Sequence, residues 1–401
     1  MSDWGQGTAN NEISWGQGSV NNEIGWGSIY PASWSGETNI IGPTGPPISD
    51  SLIFSVKTDN TGTSATNQFT IPTIGTGYAY DIRTSDGQTI NGNTGNQTIT
   101  FPTAGTYDIE ITGLFPQFRF ANGGDKLKIL DIKNFGIYGI GSTTQNVAFY
   151  GCDNMIISAT DIGHFENVTD FYGTWYYCRK LTSFPLIDTS SATSLDTTWR
   201  TCSALTSFPL INTSNVIQFK DAWKGCNSLI SFPILDTSNG TNFGGTWNNL
   251  AKLLEMPFLN LSKGVGSLSG TWQGCSKLTS FPAMDFSGFT SFNYCWSNSS
   301  LLQSFPLINS TKVTTFNFAW NNCPSLTTFP ANAFDLNIAS DYNGAFVATS
   351  LTQQSVDNIL VSIDTSGKIN GTLSVGGSAP SAIGITAKNN LISKGWTVTT
   401  T

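Results

Sequence analysis

Tryptophan recurs at positions 175, 199, 223, 247, 272, 296 and 320, at intervals of 24, 24, 24, 25, 24 and 24 residues. Proline keeps the same beat at 185, 209, 233, 257, 282, 306 and 330. A unit this short cannot enclose a core alone. A chain that repeats it is therefore expected to stack units so that each buries its neighbour's apolar face. A representative unit, Asn215 to Ser238, reads NVIQFKDAWKGCNSLISFPILDTS. Phe149 and Cys152 mark a degenerate earlier copy, and Phe346 a degenerate last one.

Each unit has two halves. In the first, Val216, Phe219, Trp223 and Cys226 fall at i, i+3, i+7 and i+10, one face of a helix. Ala192, Leu195, Trp199 and Cys202 repeat the spacing, as do Val313, Phe316, Trp320 and Cys323. This predicts a short helix per unit. The second half, close to SLTSFP, predicts a strand that ends at proline, which has no N–H to donate. Ser and Thr around that strand are expected to keep the outer face polar. Asp-Thr-Ser or Asn-Thr-Ser follows as a turn and candidate helix cap.

Three eleven-residue copies open the chain at Trp4, Trp15 and Trp26, and the first two end in Asn-Asn-Glu-Ile, with Ile13 and Ile24. The glycine after each tryptophan disfavours helix. Two readings stand: a low-complexity leader, or a docking peptide ordered on assembly, in which Trp4, Trp15, Trp26, Ile13 and Ile24 pack on another subunit. Residues 1–48 are taken as this extended segment and linker.

Residues 49–125 read as a small β-sandwich. LIFSV at 52–56, FTI at 69–71, YAYDI at 78–82, TITF at 98–101 and YDIEI at 107–111 are bounded by turn residues. Asp86-Gly87 is a hairpin-turn signal. Asp81, Asp86, Asp108 and Glu110 lack the dense alternation of a calcium loop, so no metal site is expected. Residues 126–350 hold the repeats. Residues 351–401 read as an α/β cap, with helices over 351–363 and 380–394 and strands near 371–374 and 395–398. The fold class that results is mostly β with short helices: a repeat solenoid preceded by the sandwich and the extended N-terminal anchor.

Only 11% of the 401 residues are charged, with a formal net charge of -8, and aromatics make up 12%. This chemistry is too aromatic for disorder and suits an outward-facing surface. There is no basic tract for nucleic acid and no apolar run long enough to cross a bilayer. The N-terminus lacks a basic segment followed by an apolar one. Outward use without such a leader suits a particle assembled in a host cytoplasm and released by lysis. Cys152, Cys178, Cys202, Cys226, Cys275 and Cys323 share one repeat position, which Leu250 and Ser299 also fill. Small buried hydrophobes are the favoured reading over disulfides or zinc. Cys295 stands one position before Trp296, outside that set.

No nucleophile elbow, P-loop or zinc-protease motif occurs, and His164 is the only histidine. The chain is expected not to be an enzyme and to need no cofactor. The residues just after each tryptophan vary. Tyr176, Tyr177, Arg179 and Lys180 form their richest cluster, with Arg200 and Lys224 in the next units. Flat rings and donors suit a glycan or protein receptor. The plainer alternative is that they shield the first regular unit.

The LTSFP, DTS and W-x-G-C elements together resemble the BspA-like leucine-rich repeats of bacterial surface and bacteriophage virion proteins. Thr84-Ser85-Asp86-Gly87 and GTYDIEITG at 105–113 resemble the PKD-like sandwich that accompanies such repeats, and AKNNLISKGWTVT at 387–399 their C-terminal cap. The resemblance implies a leucine-rich-repeat solenoid. It also implies a bacteriophage fibre, on the tail or the head, that is anchored to other virion proteins by its N-terminus and touches a host glycan or protein through the repeats. A homo-oligomer, trimers included, is expected at the virion surface. A cell-surface adhesin and a virion decoration or adaptor protein are the alternatives.

Overall fold

The computed structural model describes residues 51–400, and Trp4, Ile13, Trp15, Ile24 and Trp26 lie outside them. Strands β1 (Leu52–Lys57), β2 (Gln68–Ile71), β3 (Ala79–Thr84), β4 (Thr89–Asn93), β5 (Gln97–Thr100) and β6 (Thr106–Leu114) come first. They alternate buried and open positions, as the two-residue period requires: Tyr80, Ile82 and Thr84 of β3 turn inward while Ala79, Asp81 and Arg83 face out. Asp86-Gly87 closes the hairpin between β3 and β4, with Gly87 at φ 91°. β1 and β6 pair antiparallel, setting Phe54 against Ile109.

The first sheet runs past residue 125. β7 (Ile129–Asn134) adds to β1, and the two-residue β8 (Ile156–Ile157) adds to β7, giving the order β4-β3-β6-β1-β7-β8. β2 and β5 form a separate pair. Asp125 accepts the Thr63, Ser64 and Thr70 N–H groups. Lys128 donates to the carbonyls of Ser64, Ala65 and Gln68, so this buried pair ties the connecting loop down.

The expected leucine-rich-repeat solenoid with a PKD-like sandwich before it is not the architecture. The described residues are mixed β sheets with two short helices, both after residue 350. No repeating sheet runs through the 24-residue units. In the regular units the only named strands are β9 (Gly266–Ser267) and β10 (Phe289–Ser291), with β8 in the degenerate first unit and a strand over Asp341–Phe346 in the degenerate last one, supplemented by single bridges such as Asp170 with Ser194 and Ser194 with Gln218.

The predicted helix in each unit is absent for a reason visible in the backbone. Two residues before and two residues after each tryptophan, the chain turns left-handed. Around Trp199 these are Thr197 at φ 56° and Thr201 at 61°; around Trp223, Asp221 at 54° and Gly225 at 77°; around Trp320, Phe318 at 53° and Asn322 at 56°. A right-handed helix cannot pass through such positions. Alternate N–H groups close four-residue turns, as from Cys226 to the Trp223 carbonyl at 3.0 Å and from Ala222 to Phe219 at 3.1 Å. The groups between them leave the unit: the Trp199 N–H donates to the Ala222 carbonyl at 2.9 Å and the Thr201 N–H to Lys224 at 2.7 Å. The helix-like spacing therefore marks buried positions on a run of turns, and the next unit supplies half of the acceptors.

The core follows this register. Trp199 stacks on Trp175 at 5.8 Å and on Trp223 at 5.4 Å, nearly parallel to both. Between Trp223 and Trp247, Phe232 meets both rings edge to face, and from Trp247 the stack runs through Trp272, Trp296, Trp320 and Phe346 at 5.0 to 5.8 Å. Phe184, Phe208 and Phe232 meet the indoles edge to face, and Phe184 bridges Trp175 and Trp199. The Asp-Thr-Ser turns also join units: the Ser190 N–H donates to Asp188, and the Thr189 hydroxyl to the Asn212 carbonyl of the next unit at 2.6 Å. There is no helix for them to cap.

After the repeats come β11 (Asp341–Phe346), α1 (Gln353–Thr365), β12 (Thr372–Val375), α2 (Ala382–Ser393) and β13 (Thr397–Thr400). Thr352 caps α1 by accepting the Ser355 N–H, and Ser381 caps α2 by accepting the Ile383 N–H. Val356, Ile359, Leu360 and Ile363 form the buried side of α1. The parallel sheet β11-β12-β13 closes the stack, with Tyr342 covering Phe316 at 5.0 Å.

Candidate binding surface

The residue after each ladder tryptophan is partly open to solvent, except for the buried Ser297. At the start of the repeats this line is aromatic and then cationic: Tyr150, Tyr176, Arg200, Lys224. Farther on it becomes amide-bearing, with Asn248 donating to Gln273 Oε1 at 3.2 Å. Tyr176 stacks on Tyr150 at 4.6 Å and on Tyr177 at 4.3 Å. Tyr177 occupies one of the left-handed positions, φ 63°, which turns its ring onto Tyr176.

Cations sit on this stack. The Arg200 guanidinium lies 5.3 Å from the Tyr176 ring centre, and that of Arg179 lies 5.9 Å from Tyr177. Arg179 is held by two contacts with Asp153, Nε at 2.8 Å and Nη2 at 2.5 Å. That carboxylate raises the guanidinium above its already high range. Arg200 Nη1 reaches Asp221 at 3.0 Å, and Lys224 reaches the other oxygen of Asp221 at 3.3 Å. Lys180 is exposed beside them. Burial, and then the neighbouring Tyr177 hydroxyl, push the Tyr176 phenol up to about 12, so it stays a neutral donor at physiological pH.

The structure thus brings Tyr176, Tyr177, Arg179 and Arg200 into one cluster and places Lys224 on its flank through Asp221. Sequence reading missed Tyr150, Asp153 and Asp221. Tyr150 was findable, because it follows Phe149 as Tyr176 follows Trp175 in the degenerate first unit. The two acids carried no such signal. Arg179, Arg200 and Lys224 pair here with Asp153 and Asp221.

The other candidate groups are engaged structurally. Asp81 accepts the Gly92 N–H, Asp108 pairs with Lys133, and Glu110 accepts from Ser51. No group of three or more potential metal ligands occurs among the described residues. His164 lies 3.4 Å from Glu166 at the surface. The aligned cysteines are buried and unbonded, and they are more than small hydrophobes. The thiols of Cys178, Cys202, Cys226, Cys275 and Cys323 each donate to a carbonyl of the preceding unit at 3.0 to 3.3 Å, as the Ser299 hydroxyl does at 3.5 Å. Cys295 takes the place that Thr174, Thr198, Thr246 and Thr271 hold before their tryptophans, and it too is buried.

No protein family matches the chain, and no curated protein matches it. With no helix and no repeating sheet in the units, the leucine-rich-repeat, BspA-like and PKD-like assignments do not hold, and the tail-fibre label that depended on them falls with them.

Proposed function

We propose that this chain is a non-enzymatic attachment protein of a bacteriophage particle, binding a hydroxyl-rich, negatively charged polymer of the host surface. The observation that carries the reading is the Tyr150–Tyr176–Tyr177 stack with Arg179 and Arg200 on its faces. Phenol hydroxyls and guanidinium groups are the donors such a ligand needs, and the stacked units beneath hold them in place before binding. The seven buried, unbonded cysteines support folding in a reducing cytoplasm, with burial protecting the thiols once the particle is outside. In this reading the Trp4, Trp15 and Trp26 repeats join the chain to other particle proteins.

The test has two arms. Binding of the purified chain to host cells should fall at least tenfold in a Tyr177→Ser, Arg200→Ala variant whose unfolding temperature is unchanged, and it should weaken as salt rises. Deleting residues 1–48 should leave cell binding intact and remove the protein from purified particles, read by quantitative mass spectrometry. Unaltered binding by the double variant defeats the receptor role and leaves a decoration protein. Absence of the intact chain from particles leaves a cell-surface adhesin.

A further inference from the structure

The outer face of the Phe-Pro segments is not the polar surface its Ser and Thr content predicts. The residue after the proline is open to solvent in unit after unit: Leu186 at 36%, Leu210 at 58%, Ile234 at 72%, Phe258 at 53% and Leu307 at 43%. The backbone explains it. The Ile211 N–H donates to the Pro209 carbonyl and the Leu235 N–H to Pro233, both at 3.0 Å. Each closes a three-residue turn whose middle side chain is thrown outward while the next is buried. In two adjacent units a second aliphatic joins, Ile230 at 49% and Leu254 at 54%, placed side by side by the 3.1 Å bond from the Leu254 N–H to the Ile230 carbonyl.

Together these side chains leave on the order of 600 Å² of apolar surface uncovered, close to the roughly 800 Å² that each partner gives a standard interface. The pattern also matches itself. Phe rings in the same segments repeat at 5.8 and 6.2 Å, so the exposed aliphatics form a ridge with gaps of one unit. The densest part, Ile230, Ile234, Leu254 and Phe258, lies in the middle of the run. The equivalent positions toward either end are Thr182, Thr206 and Thr279, with Ala283. Exposed Lys252 and Glu255 supply opposite charges at its rim.

We infer that this stripe is the interface with a second copy of the same chain, related by a two-fold axis near Ile234 and Phe258. A two-fold axis is the arrangement that sets the apolar centre of one stripe on the apolar centre of the other and lets the two ridges interlock. The Tyr176–Tyr177–Arg200 stack is carried by the turn segments around Trp175 and Trp199, ahead of the units that hold Ile234 and Phe258. The inference does not rest on the functional reading.

Sedimentation velocity and light scattering of the full chain at micromolar concentration should give twice the chain mass. An Ile234→Lys, Phe258→Lys variant should sediment as a monomer with an unchanged unfolding temperature, because both side chains are exposed. A monomeric wild-type chain overturns the inference, as does an oligomer that the double variant leaves intact. If the double variant fails to fold, Ile234→Cys decides. The native thiols are buried, so a short bis-maleimide should link two Ile234→Cys chains into a covalent dimer, and failure to do so overturns the inference.

Discussion

The thiol of Cys202 donates to the carbonyl oxygen of Trp175, 3.1 Å away in the preceding unit. The same bond recurs from Cys226 to Trp199 at 3.0 Å and, as a hydroxyl, from Ser299 to Trp272 at 3.5 Å. Six units fill the position with a small proton donor, whereas Leu250 fills it without one. Cys202→Ala should destabilise the chain by about 1–2 kcal/mol in urea unfolding, and Cys202→Ser by less. Equal losses would mean that the thiol acts by volume alone.

Alkaline pH should unfold the protein early. Burial raises the thiols of all seven cysteines, with Cys275 and Cys323 pushed up to about 12. An unfolded thiol ionises near 8.5. The folded state keeps protons that the unfolded state releases, so this stability is complete below about pH 8.5 and is lost as pH rises toward 12. Each thiol adds a slope of up to about 1.4 kcal/mol per pH unit. Urea midpoints should fall steeply above about pH 9, and Cys202→Ser should flatten the fall.

Trp199 separates packing from hydrogen bonding. Its ring stacks on Trp175 and Trp223 and meets Phe184 and Phe208 edge to face. Its Nε1, like that of the other six ladder tryptophans, is buried without a hydrogen-bond partner. Trp199→Ala should cost about 3–5 kcal/mol. Trp199→Phe should cost less than about 1.5 kcal/mol, because the lost ring area is offset by removing an unsatisfied buried donor. Thermal and urea unfolding of both variants would check the ordering.

Backbone strain can be relieved where a β-branched residue holds the left-handed position. Thr201 stands at φ 61°, where later units carry Asn249, Asn298 and Asn322. Asparagine tolerates this conformation better than threonine. Thr201→Asn should stabilise the chain by about 0.5–1 kcal/mol, read as a raised urea midpoint with an unchanged slope. A lower midpoint would show that the Thr201 side chain contributes more by contact than its backbone loses by strain.

The sequence by itself determined the 24-residue register, because Trp, Phe, Cys and Leu recur where a short unit must bury them: Trp199, Cys202, Leu205 and Phe208 are all buried, as are their equivalents around Trp223. It also determined β1, β3, β6, α1 and α2, whose periodicity and turn or capping residues agree locally. Most of the Tyr–Arg cluster was legible as well, since those residues occupy equivalent positions in successive units. The conformation of each unit was decided by its neighbours. Val216, Phe219, Trp223 and Cys226 have helical spacing. Yet the N–H groups of Phe219, Asp221 and Trp223 bond to Asn242, Gly244 and Thr246 in the next unit, and that arrangement requires Asp221 and Gly225 to turn left-handed. A helix would have kept those donors inside the unit. Asp153 and Asp221 became partners of Arg179 and Arg200 through the same stacking, which joins side chains 26 and 21 residues apart. The outward aliphatics belong to tertiary structure for a related reason: Ile234 and Leu235 are adjacent and equally apolar, and only the turn at Pro233 decides which of them the core receives.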